Sequence, residues 1–479
     1  MWLLAVFPFA PLCLYGLHRL VHLAWLGRVR GEAGAASSVG EEPTLLVQLP
    51  LFRERTVAAR AVRAAGDIDW PRARFSLQVL DDSDDETRAI VDAEVAALVA
   101  RGVDARVLRR EERCGFKAGA LAAGLAESDA ELVAVLDADF VPPPDFARAL
   151  VPHLADPRAA MVQARWGHLN RDESLLTRAQ ATLLDGHFCI EHRVRAARGL
   201  FFNFNGTAGI WRRAAIDEAG GWSAATLTED LDLSYRSQLA GGRFAYAAEV
   251  EVPAELPADL GAFLSQQARW ATGGCQVLRS LLPRLFTARI TGSQRLEALV
   301  HLAANVGYPA VLALAVLLPA VLVFGLDLPA ALPLGVLLAG TLPVALFYLV
   351  AGRRAGRPLA TALVDAFLAM ALGIGISAAQ TRAVLRGLLA GREVFVRTPK
   401  RGEGGRPYAA MVGLPWIELL LASWTAWGLA AAVAAGVWSA LPLQLLFLAG
   451  FLWVALGGAL GSRRAGAREP ATLAVVRDG

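Results

Sequence analysis

Residues 132–146 read LVAVLDADFVPPPDF. An unbroken apolar run this short, closed by a proline cluster, predicts a buried strand over 132–136. The strand empties into Asp137-Ala138-Asp139. Two carboxylates two residues apart on extended backbone point the same way. That pair suits a hard divalent cation shared with phosphate oxygens, and an acidic turn is the plainer alternative. Outward from this stretch, apolar runs at 44–50, 75–80, 105–108 and 160–164 predict further strands. Segments 53–65, 86–100, 117–127 and 144–155 carry helical periodicity. The alternation predicts an α/β, Rossmann-like domain with a mostly parallel sheet, whose ligands gather off the carboxyl ends of the strands. The run 75–80 ends in Asp81-Asp82-Ser83. Alone this reads equally as an acidic turn or a helix cap; beside Asp137 and Asp139 it strengthens a metal-and-diphosphate reading.

Two later motifs carry chemistry. TLTEDLDLSYR (226–236) opens a helix, with Thr228 placed as N-cap and Glu229 and Asp230 favourable at the helix N-terminus. Either carboxylate could instead serve as a general base. QQARW (266–270) lies on a helix predicted to begin near Asp259. There an arginine can hold a phosphate bidentately and an indole can stack on a sugar, although Arg plus Trp also anchors helices at a membrane surface. No Ser-His-Asp or Cys-His set stands out. His168, His187 and His192 fall in the same region, as sugar contacts or structural residues.

Composition frames these motifs. The 479 residues are 55% hydrophobic and 19% charged, with mean hydropathy +0.43. That predicts one soluble domain joined to membrane helices. A net charge of +3 advertises no nucleic-acid partner. Cys13, Cys114, Cys189 and Cys275 form no CxxC pair, so no zinc or redox motif is signalled. The apolar run 1–26 lacks a basic n-region and is followed by Arg28 and Arg30, which favours an uncleaved helix over a signal peptide. Further apolar runs lie near 298–324, 328–351, 361–379, 411–437 and 440–461. Arginine clusters at 353–357 and 382–401 belong on the cytosolic side, so 359–390, which also carries Asp365, is expected to lie in the interface rather than cross. Five spans follow, with six as the alternative. The expected organisation is a membrane helix (1–27), the soluble domain (40–285), two membrane helices (286–357), an interfacial helix with a loop (358–408), two membrane helices (409–462) and a cytosolic tail (463–479). That tail is too short for a domain. Trp416, Trp424, Trp427, Trp438 and Trp453 either line a glycan path or form interface belts.

The order DDS, DAD, TED, QQARW resembles the D, D, D, Q-x-x-R-W pattern of processive family 2 inverting glycosyltransferases, the group of cellulose, mannan, chitin and hyaluronan synthases. The chain is most similar to the cellulose-synthase-like A and C proteins of plants and their bacterial relatives. The stretches that carry this are VQLPLFRE (47–54), QVLDDSDD (78–85), GFKAGAL (115–121), VLDADFVPPPDF (135–146), MVQARWGHLN (161–170), FNFNGTAGIWRR (202–213), TLTEDLDLSYR (226–236) and QQARWATGG (266–274). FVRTPK (395–400) resembles that family's gating loop. The resemblance implies a GT-A fold in a multi-pass protein of the bacterial inner membrane with a cytosolic catalytic domain. It implies that Asp81, Asp82 and Lys117 meet the nucleotide or its diphosphate. Asp139, with Asp137 beside it, would hold Mg2+ or Mn2+ on the diphosphate. Asp230, next to Glu229, would be the base. Gln266, Arg269 and Trp270 would hold the diphosphate and the terminal acceptor sugar, with Asn205, Gly206 and Thr207 lining the acceptor site. Phe395, Arg397, Thr398 and Lys400 would close over the donor. The implied reaction elongates, and translocates across the bilayer, a β-linked polysaccharide from GDP-mannose or UDP-glucose, alone or with accessory subunits. Single transfer to a membrane lipid, giving a glycolipid, is the competing reading. A non-catalytic channel or sensor is a third, disfavoured by the retained carboxylates and Arg269. Regulation through a fused cyclic-di-GMP domain is not expected in this chain.

Overall fold

The computed structural model describes residues 2–29, 42–326, 335, 337–389 and 415–465. Its soluble part is built on a 7-stranded sheet in the order β3-β2-β1-β4-β6-β5-β7. The strands are β1 (Leu45–Leu51), β2 (Phe75–Asp81), β3 (Ala105–Leu108), β4 (Leu132–Val135), β5 (Ala159–His168), β6 (Gly209–Arg212) and β7 (Arg243–Ala254). Pairings β1/β2, β2/β3, β1/β4 and β5/β7 are parallel, and only β6 runs against its neighbours β4 and β5. The expected mostly parallel α/β domain is therefore the observed one. Period-two alternation explains the burial on both faces. Leu45, Val47, Leu49, Leu132 and Ala134 pack into one core layer. Leu46, Val133 and Val135 pack into the other, with Leu121, Phe204 and Trp211.

Helices Ala58–Gly66, Thr87–Ala100 and Phe116–Ala126 occupy the predicted segments. The segment 144–155 forms only a short helix, Phe146–Leu150, followed by a 3-10 turn. Strands β6 and β7 were not anticipated. β6 is four residues long, and β7 mixes exposed and buried positions without clean alternation. Their pairing is decided by partners distant in sequence.

Four helices among the described residues are long and apolar enough to cross a membrane: Ala304–Val323, Leu337–Arg354, Trp416–Ala434 and Trp438–Ala459. These fall on the four runs expected to span after the soluble domain. The N-terminal helix forms over Trp2–Leu26. The expected single interfacial helix at 359–390 is two helices, Leu359–Gly375 and Ser377–Leu389, bent by 55°. Each half follows a different neighbour. Gly375 abuts the candidate span Trp438–Ala459 at Gly450, where a Cβ would meet the Gly450 carbonyl oxygen at 2.3 Å. Gly387 abuts Leu260–Thr287, where a Cβ would meet the Thr272 carbonyl oxygen at 2.4 Å. The first half is also tied to the soluble domain. Arg178 donates to buried Asp365 at 2.5 and 2.8 Å, and Arg357 bridges Asp365 and Asp172. Trp416, Trp427 and Trp438 face outward.

Candidate active site

Off the carboxyl ends of β1, β2 and β4 opens a cleft. Among the sequence-predicted residues, Asp82, Lys117, Asp137, Asp139, Asn205, Gly206, Glu229, Asp230, Gln266, Arg269 and Trp270 line it. Asp81 and Thr207 stand behind the wall, buried at 1% and 0% exposure. Phe395, Arg397, Thr398 and Lys400 lie outside the described residues.

The carboxylates are held by charge-assisted hydrogen bonds, about twice as strong as neutral ones. Asp81, at the end of β2, accepts from Arg109 Nε and Nη2 at 3.1 and 3.0 Å. Asp82 accepts from Arg110 Nε and Nη2 at 3.1 and 2.5 Å. The two aspartates thus face different ways, and only Asp82 reaches the cleft. Beyond β4, the Asp137 amide donates to Thr207 Oγ1 at 2.8 Å, so Thr207 positions the acidic turn rather than lining the acceptor side. Asp137 Oδ1 accepts from Lys117 Nζ at 2.5 Å, and the same ammonium donates to the Gly206 carbonyl at 2.9 Å. Burial opposes the charge on Lys117, but Asp137 and Glu229 prevail and hold its pKa above the usual lysine value.

Asn205-Gly206-Thr207 is a tight turn feeding β6. Gly206 has φ +80, and a Cβ there would approach Asp230 Oδ2 to 2.9 Å and Lys117 Nζ to 3.4 Å. A left-handed backbone and this close approach both demand glycine. Asn205 is clamped from behind: its Oδ1 lies 2.8 Å from His192 Nε2 and its Nδ2 lies 3.0 Å from His187 Nε2. Those histidines therefore orient an amide instead of meeting the cleft themselves. His168 does line the cleft, with Nε2 3.4 Å from Asp185 Oδ1.

Helix Glu229–Leu239 begins at the cleft. Thr228 occupies the N-cap position but makes no side-chain cap hydrogen bond, contrary to expectation. Its side chain is instead pressed against Gly273, whose missing Cβ would lie 2.6 Å from Thr228 Cγ2. Asp230 accepts from the Leu231 amide at 2.8 Å. Burial, with the Glu229 charge beside it, pushes the Asp230 carboxyl up to about 7, although Lys117 pulls the other way. A carboxyl titrating there is poised for proton transfer at neutral pH.

Helix Leu260–Thr287 starts where predicted, with Asp259 accepting from the Gly261 and Ala262 amides at 2.8 and 3.1 Å. Helical spacing puts Gln266, Arg269 and Trp270 on one face, and that face closes the cleft. Burial lowers the Arg269 pKa, and Glu229, Asp137, Asp230 and Asp139 all oppose it, as expected for a guanidinium ringed by carboxylates.

Phe52, Glu54, Phe140 and Trp166 also line the cleft and fall within the longer matched stretches without being singled out there, while Arg113 lies outside every matched stretch. Arg113 stacks over the Phe52 ring at 3.4 Å, a cation–π contact. Phe52 and Glu54 follow β1 at the same sheet edge, so the strand-end rule was the available signal. The donor set of Asp137 and Asp139 is carboxylate oxygen from one turn, with Asp139 only 6% exposed and on the cleft wall. These residues fit a hard cation of the Mg2+ or Mn2+ kind.

Residues 132–351 match the sequence model described as Glycosyl transferase family group 2. Glucomannan 4-beta-mannosyltransferase 2 of Arabidopsis thaliana is 46% identical over 245 residues, 50% of this chain and 46% of that protein. Probable glucomannan 4-beta-mannosyltransferase 7 of Oryza sativa subsp. japonica is 42% identical over 255 residues, 52% of this chain and 44% of that protein. The chain spans about half the length of these curated relatives. Among solved structures, mannosyltransferase PcManGT from Pyrobaculum calidifontis, in complex with GDP-Man and Mn2+, superposes with TM-score 0.52 at 19% identity. The match covers 81% of this chain and 97% of that one, a likeness of fold. The sheet order and the cleft agree with these matches: residues 132–351 are similar to glycosyl transferase family group 2, and the domain that holds the cleft has a GT-A-like fold.

Proposed function

We propose that this protein is a membrane-embedded, inverting glycosyltransferase that elongates a β-linked polysaccharide, with GDP-mannose as the preferred donor over UDP-glucose. One observation carries the reading: Lys117, Asp82, Asp137, Asp139, Asp230, Arg269 and Trp270, drawn from distant parts of the chain, meet in one cleft, and the Asp230 carboxyl there is raised to about 7. The mannose preference rests on the curated relatives, which are named as mannosyltransferases.

Asp82 and Arg113, with Phe52, take the nucleotide end of the donor. Lys117 and Arg269 face the diphosphate, and Gln266 assists. A divalent cation held by Asp139 and Asp137 would neutralise part of the diphosphate charge. Asp230 accepts the proton of the acceptor hydroxyl, whose oxygen forms the new bond to the sugar C1. The C1–O bond to the diphosphate breaks with its electron pair on the diphosphate, and the anion is met by Lys117 and Arg269. Attack opposite the leaving group turns an α-linked donor into a β-linkage. Trp270 stacks beneath the terminal acceptor sugar, and Asn205, held by His187 and His192, supplies an amide to its hydroxyls. Asp81 and Thr207 brace this machinery. The resemblance of 395–400 to a gating loop extends the reading to Phe395, Arg397, Thr398 and Lys400, which would close over the donor. In this reading the soluble domain lies on the arginine-rich, cytosolic side of a bacterial inner membrane, next to the four candidate spans, whose helices could guide the product.

Purified protein with Mg2+ or Mn2+ should release GDP from GDP-mannose and build β-linked polymer from a short oligomannoside. Release from UDP-glucose alone would overturn the donor assignment. Transfer of a single sugar to lipid, with no longer products, would overturn elongation.

A further inference from the structure

Five histidines gather on the far side of Asn205, away from the cleft: His18 and His22 on Trp2–Leu26, His187 and His192 on the π-helical turn Gly186–His192, and His301 on Gly292–Leu302. Two of them converge on one carboxylate. His18 Nε2 lies 2.9 Å from Glu297 Oε2, and His22 Nε2 lies 3.1 Å from Glu297 Oε1. The three ligand atoms all fall within 4.8 Å of one another. His18 and His22 stand at i and i+4, which puts both imidazoles on one helix face, a spacing that helical metal sites use. Arg195 Nε donates to Glu297 Oε1 at 2.9 Å. This contact orients the carboxylate and leaves Oε2 turned toward His18, the kind of outer support that fixes metal ligands.

A second observation points to a missing partner. His22 is fully buried, yet neither of its ring nitrogens makes a hydrogen bond, and His18 Nδ1 makes none either. Its approach to Glu297 has the distance of a contact without hydrogen-bond geometry. An unsatisfied buried polar group destabilises the fold, so such a group calls for an explanation. The nearby arginines are matched inside the cluster: Arg19 pairs with Glu191, and Arg195 with both Glu191 and Glu297.

We propose that His18, His22 and Glu297 form a metal site, separate from the cleft, that takes a transition-metal cation of the Zn2+ class. Two imidazoles and one carboxylate are a borderline-soft donor set, suited to Zn2+ and its neighbours rather than to Mg2+ or Ca2+. Three protein ligands leave one position for water, on the side where His18 keeps 16% of its side chain exposed. The ion joins the N-terminal helix to Gly292–Leu302, linking residues 279 apart in the chain. Its role is to pin the first helix beneath the glycosyltransferase domain, and it depends on neither the donor nor the acceptor assignment.

The test uses the full chain in detergent, stripped with chelator and offered Zn2+ alone, without Mg2+ or nucleotide. Asp139→Asn is the background, so that the acidic turn of the cleft contributes less. After gel filtration, elemental analysis should find one Zn2+ per chain, and adding His18→Gln with His22→Gln should bring this to none. The thermal midpoint should rise with Zn2+ in the first protein only. If the triple variant does not fold, Co2+ in the Asp139→Asn chain decides: a site of this kind gives the visible d–d bands of four-coordinate Co2+. No retained Zn2+, equal retention with and without the two histidines, or a colourless Co2+ form would each overturn the proposal. The last two outcomes would leave a buried hydrogen-bonding cluster in its place.

Discussion

Asp230 offers the sharpest test of the proposed chemistry. Burial first, and then the neighbouring Glu229, hold its carboxyl near 7, about three units above its ordinary value. A base must be unprotonated to work, so kcat/KM should be flat above pH 8 and fall about tenfold per unit below pH 6. At pH 6, with a pKa near 7, about a tenth of the enzyme carries the active carboxylate. Asp230→Asn should lower the plateau by about 100- to 10,000-fold, the usual worth of a positioned base, and should abolish the acidic limb. Glu229→Gln removes a charge that pushes the carboxyl up, so the limb should move to lower pH. Initial rates of GDP release from pH 5 to 9, each variant saturated with Mn2+, measure all three. A limb near pH 4 in the unmodified protein, or an unchanged limb in Asp230→Asn, would refute the assignment of the base.

The same carboxyl has a stability consequence. Its folded-state pKa lies above the unfolded one, so ionising it opposes folding; the penalty is absent below about pH 4 and complete above about 7. Asp230→Asn should therefore melt higher than the parent at pH 8 and no higher at pH 4, as read by scanning fluorimetry in detergent. Gly206→Ala should cost at least about 1–2 kcal/mol from the left-handed backbone and displace Asp230 or Lys117, so GDP release should fall well over tenfold while the protein still inserts in membranes. Gly273→Ala should push Thr228 and the start of Glu229–Leu239 out of place, lowering kcat with little change in donor KM, although Gly273 does not itself line the cleft. Asp139→Asn should raise the Mn2+ concentration needed for half-maximal rate by tenfold or more, and an unchanged requirement would remove Asp139 from the metal's ligands.

Much of the soluble domain was legible locally. The runs around 47, 77 and 133 are mostly apolar because both faces of a parallel sheet are covered, Gln48 and Gln78 being buried against each other, and their ends expose Asp82, Asp137 and Asp139 at one edge. What stayed hidden depends on partners far away in sequence. β6 and β7 pair through contacts that no local pattern announces. The bend near Ile376 arises because Gly375 and Gly387 pack on different helices. Thr228 looked like a cap, yet Gly273 presses on its side chain instead.

The sequence by itself determined the residue types at the strand ends, the helices apolar enough to span a membrane and the order of the motifs, because hydrophobic periodicity and strand-end position are properties of neighbours along the chain. Only the tertiary structure decided which way each polar group points. Asp81 turns to Arg109 and Asp82 to the cleft; Thr207 braces the Asp137 backbone; His187 and His192 grip Asn205, while His18 and His22 meet Glu297. Direction and pKa depend on burial and on charges brought in from elsewhere in the fold, and those exist only once the chain has closed on itself.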